Sequence, residues 1–188
     1  MANLDKPRGA KVVGHLDGSP FNGMVGYYNF AAAEATATFI GDFVKSAGSA
    51  DGDGIPTIAQ AAAGDALLGV VVSIAFDPTD LRTIHRKAST LRYAYVADAP
   101  DVVVEMQEDA VGGALAAGDI GNNADVVVAA GDATTGQSAM EIDSSTKATT
   151  TAQLRILKLL QRPDNEIGAN ALYLCAINEH EHKSTTGT

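Results

Sequence analysis

The run Ala-Gly-Asp occurs three times in this chain, at Ala63-Gly64-Asp65, Ala117-Gly118-Asp119 and Ala130-Gly131-Asp132. The first is followed by Leu67-Leu68-Gly69-Val70-Val71-Val72 and the second by Ala124-Asp125-Val126-Val127-Val128. Glycine reaches backbone conformations closed to other residues, and a neighbouring aspartate bonds nearby backbone N–H groups, so the pair makes a tight turn. A β-branched run directly after such a turn reads as a strand. The copies are unequally spaced, which rejects a regular solenoid. The chain is predicted to be short strands joined by tight turns.

Strands are predicted over residues 24–30, 35–44, 55–59, 67–76, 93–97, 102–107, 126–129, 139–142, 153–161 and 171–178. The clearest is 102–107. There Val102, Val104 and Met106 alternate with Val103, Glu105 and Gln107, the pattern of a sheet with one wet face. Segment 153–161 suits helix or strand by itself; Thr149-Thr150-Thr151 before it and Pro163-Asp164-Asn165 after it favour a strand. Strands this short and evenly punctuated point to an all-β fold, a small antiparallel barrel or sandwich. Residues 1–23 lack periodicity and contain Pro7 and Pro20. They read as an extended N-terminal arm, with the β domain over 24–179 and a flexible tail over 180–188.

A chain of 188 residues suits one domain or one domain plus an arm. Apolar residues make up 46% but aromatics only 5%, so Val, Ile and Leu must build the core. One cysteine, Cys175, sits inside Leu172-Tyr173-Leu174-Cys175-Ala176-Ile177 and reads as a small core hydrophobe. The formal charge of −10 argues against direct nucleic-acid binding. No apolar stretch reaches the ~18 residues of a membrane helix, so no membrane partner is expected.

Candidate chemistry is thin. Asp51-Gly52-Asp53-Gly54 starts like a calcium loop, but the position of its last ligand is Ala62. Glu179-His180-Glu181-His182 reads as a solvated tail rather than an enclosed metal site. Gly136-Gln137-Ser138-Ala139-Met140 lacks the second glycine of a nucleophile elbow. His15 and His85 stand alone. The expectation is a protein that is not an enzyme and takes no metal or cofactor. One feature stands out: Arg82, Arg86, Lys87 and Arg92 crowd one loop of an acidic chain. They read either as a solvated loop balancing nearby acids or as a contact for an acidic partner. Lys6, Arg8 and Lys11 of the arm join them as candidate partner-binding residues.

Three stretches carry a resemblance. They are residues 93–109 (Tyr-Ala-Tyr-Val-Ala-Asp-Ala-Pro-Asp-Val-Val-Val-Glu-Met-Gln-Glu-Asp), 139–145 (Ala-Met-Glu-Ile-Asp-Ser-Ser) and 161–171 (Gln-Arg-Pro-Asp-Asn-Glu-Ile-Gly-Ala-Asn-Ala). Together they resemble small virion proteins of tailed bacteriophages encoded beside the major capsid protein. The likeness covers about residues 60–179. It implies a head decoration, or cement, protein made in the bacterial cytoplasm. Such a protein binds the outer surface of an HK97-type capsid, with the major capsid protein and its own copies as partners. The implied homotrimer is compatible with the small residues Ala114, Ala116 and Ala117. The resemblance brings no catalytic or contact residues. Rival expectations are another virion part, a head-fibre base or tail protein, and a carbohydrate-binding β-module.

Overall fold

A computed structural model describes residues 3–184. In chain order its strands are β1 (Lys11–His15), β2 (Gly26–Phe30), β3 (Phe43–Ala50), β4 (Pro56–Gln60), β5 (Gly69–Ile74) and β6 (Arg92–Ala97). They continue with β7 (Val102–Gln107), β8 (Asn123–Ala124), β9 (Val126–Val127), β10 (Glu141–Ile142), β11 (Leu154–Leu159) and β12 (Leu172–Ile177). The protein is all-β, as its turn pattern predicts. The ambiguous segment before Pro163 is the strand β11.

Five strands close into a barrel in the order β2-β4-β3-β5-β6. The closure uses one parallel pair, β2 with β4, through Asn29↔Thr57 and Phe30↔Ile58. The other pairs are antiparallel. A second sheet runs β1-β7-β12-β11-β8, and β9 pairs with β10 beside it. Phe30, Val44, Ile58, Leu68, Val71 and Val96 fill the barrel. A larger cluster joins Phe43 and Val70 of the barrel to Val102, Val104, Met106, Leu154, Ile156, Tyr173 and Cys175 of the sheet. This second core glues barrel to sheet. Burial pushes the Cys175 thiol up to about 12, which suits an inert core position.

The first two Ala-Gly-Asp copies are turns closed by their aspartates, and the third leads into a turn over 133–136 whose first residues bond back to Asp132. Asp65 accepts from the Ala62 N–H at 2.7 Å, Asp119 from the Ala116 N–H at 2.9 Å and Asp132 from the Thr134 N–H at 2.8 Å. Gly64 has the positive φ of 81° that such a turn requires.

The segment expected as an arm lies along the domain. β1 pairs with β7, from Lys11↔Glu105 to His15↔Val102. Ahead of it, the Gln107 amide clamps the chain: its Oε1 accepts from the Lys6 N–H and its Nε2 donates to the Leu4 carbonyl. The face of β7 expected to be wet is therefore partly covered, and Val103 and Gln107 are buried. The chain then threads a narrow gap at Gly9. A Cβ there would lie 2.4 Å from the Ser138 Cβ and 2.6 Å from the Gly41 carbonyl oxygen.

The start of the expected tail is also fastened. His180 is buried, Leu67 N–H donates to the Glu179 carbonyl, and Glu181 N–H donates to the Leu67 carbonyl. Hydrophobic cover over His180 makes the neutral ring the stable form and lowers its pKa to about 4. Residues 1–2 and 185–188 of the two expected terminal segments lie outside the described residues.

Gln153 is the polar tie between barrel and sheet. Its buried side chain donates to the carbonyls of Ala62 and Asp65 and accepts from the Val126 N–H. Gln153→Leu keeps the volume but strands these groups without partners. The expected loss is about 2–3 kcal/mol of unfolding free energy, read from a shifted urea midpoint.

Candidate docking surface

The loop between β5 and β6, residues 75–91, is long for a connection without secondary structure, and loops of that kind are commonly functional. Its conformation is set by two arginines that turn inward. Arg86 is fully buried. Its guanidinium donates to the carbonyls of Thr90, Thr36, Ala31 and Glu34, at 2.9, 2.5, 3.0 and 2.8 Å. It also lies 5.0 Å from the centroid of the Phe30 ring. Carbonyl dipoles and an aromatic face replace the water that the charge has lost. Arg92 donates from Nε and Nη2 to the Ala75 carbonyl at 3.0 and 2.6 Å, and its Nη1 lies 3.6 Å from the Asp77 carboxylate.

These contacts correct the sequence expectation for the basic cluster. Arg86 and Arg92 do not face a partner; they are internal struts. Lys87 is exposed but ion-paired with Asp80. Hydrogen bonds from Lys87 and Thr83 lower the Asp80 carboxyl to about 2. Arg82 is the cluster member left exposed without an acidic partner among the described residues.

With the arginines inside, the loop shows other residues to solvent. Phe76 is 79% exposed and Leu81 73%, and Ile84 and Leu91 are also open. Aromatic and aliphatic anchors within a polar rim are the anatomy of a protein-binding surface. Sequence reasoning followed the charges and passed over Leu81, Ile84 and Leu91, and it placed Phe76 in a strand over 67–76 that in fact ends at Ile74. The available signal was apolar side chains without strand alternation in a turn-rich segment.

The second group of predicted residues does come together. Lys6, Arg8 and Lys11 line one cleft of about 230 Å³. Asn3, Leu4 and Gly9 of the same segment line it too. Arg162, which sequence reasoning missed, stands on the far wall with Asp164 and Glu105. Arg162 pairs with Asp164 at 2.9 Å, and Lys11 lies 3.9 Å from Glu105. Lys6 and Arg8 have no carboxylate within ion-pair distance among the described residues.

Asp5, absent from that lining, faces a different environment. It adds its charge to Asp109 and Glu108 around Glu141, whose Oε1 is buried with no hydrogen-bond partner among the described residues. Desolvation first, and these carboxylates second, push the Glu141 carboxyl up to about 7. On the outer face of the barrel, Tyr27 stacks on Tyr93 at 5.1 Å between ring centroids and packs against Tyr95 at 5.2 Å.

Searches of family models, curated proteins and solved structures return no match to this chain.

Arg86→Met should lower stability by about 3–5 kcal/mol, because several buried carbonyls lose their donor together. Arg86→Lys should recover only part of that, since an ammonium has three donors and no planar fork. Thermal melts of the three proteins check both statements.

Glu141 makes a pH prediction. The folded state holds its proton more tightly than the unfolded chain does. Its stabilising contribution is therefore complete below about 4.5 and is lost as pH rises through about 7. His180 acts oppositely: its contribution is present above 6.5 and lost as pH falls through about 4. The difference between wild type and Glu141→Gln isolates Glu141. The variant should gain about 1–2 kcal/mol over wild type at pH 8 and little at pH 4.5, after allowance for solvent screening. Urea titrations at the two pH values measure it.

Proposed function

We propose that this is a non-enzymatic docking protein, a decoration or cement protein that clamps the outside of an HK97-type capsid of a tailed phage. The observation that carries the reading is the loop 75–91, where two buried arginines hold Phe76, Leu81, Ile84 and Leu91 out to solvent. A surface braced from within loses little freedom on binding, so most of the buried apolar area contributes to affinity.

The three stretches that carry the resemblance are far apart in sequence yet touch in the fold. Ser144 Oγ donates to Asp109, Gln107 Nε2 donates to the Asn170 carbonyl, and Asn170 N–H donates to Glu108. They meet beside the cleft that Lys6 and Arg8 line.

On the shell the protein acts by area and copy number. Repeated sites multiply a modest interface, and binding to assembled rather than free subunits favours the assembled state by linkage. Partners in this reading are the major capsid protein and sister copies in a homotrimer, with exposed Ala116 and Ala117 allowing close approach. The carbohydrate-binding alternative has one observation in its favour, the tyrosine trio Tyr27, Tyr93 and Tyr95.

The test is co-sedimentation with purified capsids. Wild type should pellet in near-stoichiometric amounts. The double variant Phe76→Ser, Leu81→Ser should bind at least tenfold more weakly with an unchanged melt, since both side chains are exposed in the free protein. Wild type staying in the supernatant while a glycan array retains it through Tyr27 and Tyr95 would replace this reading with the alternative.

A further inference from the structure

We infer that the cleft beside the N-terminal segment is a receptor for an extended acidic segment of a protein partner, one carrying carboxylates at alternate positions. The inference adds partner chemistry to the docking reading and rests on it for the partner being a protein.

Four cations line the cleft, and two carboxylates answer them. Asp164 answers Arg162, and Glu105 lies between Lys11 and Arg162 at 3.9 and 3.8 Å. Lys6 and Arg8 are left with positive charge and no partner among the described residues. In a molecule of net charge −10 this is a local reversal of sign, and such reversals draw opposite charge to one place.

The backbone fixes the geometry of that charge. Gln107 clamps both sides of the Leu4-to-Lys6 stretch, and the narrow passage at Gly9 pins the end beyond Arg8. Lys6 and Arg8 are thus held two residues apart at one cleft, at most about 7 Å between their origins. Carboxylates at alternate positions of a second extended chain reach that spacing. A single small anion spans it poorly. A long polyanion such as nucleic acid would leave the cleft and meet the acidic remainder of the surface. Leu4, 75% exposed at the mouth, offers an apolar contact that a peptide side chain can use and a free anion cannot.

The experiment is fluorescence anisotropy with the full chain and a labelled hexapeptide alternating glutamate and threonine. Binding should be measurable at low ionic strength and weaken as salt rises. The same peptide with glutamine for glutamate should bind about five- to tenfold more weakly, as should the protein variant Lys6→Ala, Arg8→Ala. Arg82→Ala should match wild type. The charge-reversed variant Lys6→Glu, Arg8→Glu should lose the acidic peptide and gain a lysine–threonine peptide, a change that misfolding cannot imitate.

Equal affinity for the glutamate and glutamine peptides overturns the inference. So does displacement by equimolar inorganic phosphate, which would make the cleft a small-anion site, or tighter binding of single-stranded DNA. Co-sedimentation with capsids is read in parallel. Capsid binding that persists while the peptide fails to bind removes this inference alone, whereas loss of capsid binding by wild type removes the docking reading.

Discussion

The guanidinium of Arg86 is the contact on which the barrel's outer architecture depends. It carries a full charge into a site with no carboxylate at hydrogen-bond distance among the described residues and is met there by main-chain carbonyls. Those carbonyls come from the loop after β2 and from the loop before β6. One side chain therefore ties two irregular segments together. Its backbone joins in, since Arg86 and Thr38 exchange N–H to carbonyl bonds. A long loop that would otherwise be mobile becomes a shaped surface, and its apolar residues are presented instead of collapsing inward.

The N-terminal segment follows the same logic with weaker ties. Ahead of β1 it stays because Gln107 offers both a donor and an acceptor to its backbone. Leu4, Lys6 and Arg8 meet the cleft, while Asp5 joins the carboxylates around Glu141. Polar bonds from Gln107 and Asn3 hold the segment ahead of β1, and burial and the pairing of β1 with β7 hold it from Ala10 onward.

Barrel and sheet behave as one body because their shared core is reinforced by buried polar ties. Gln153 reaches from β11 across to the turn before β5, and the strand-like pairing of Leu67 with His180 anchors the chain's end to the same turn. Apolar burial alone would permit sliding between the two units. Directional bonds to buried groups forbid it, because any shift leaves donors without acceptors. Loop and cleft therefore keep a constant relation to one another.

The strand alternation of 102–107, the Gly-Asp turns and the apolar run around Cys175 were legible because each depends on residues adjacent in sequence. So was the all-β class. The cleft shared by Lys6, Arg8 and Lys11 appears only in the folded chain. Other features were not legible. Arg86 and Arg92 look in sequence like exposed neighbours of Arg82 and Lys87. Their burial depends on carbonyls of residues 31, 34, 36 and 75, which only the closed barrel brings within reach. Arg162 joins the N-terminal cations only because β12 and β7 set its loop beside them. Local chemistry, turns and periodicity, was determined by the sequence itself. Which charges face inward was decided by tertiary structure, because a charge is buried only where distant backbone supplies the dipoles to replace water.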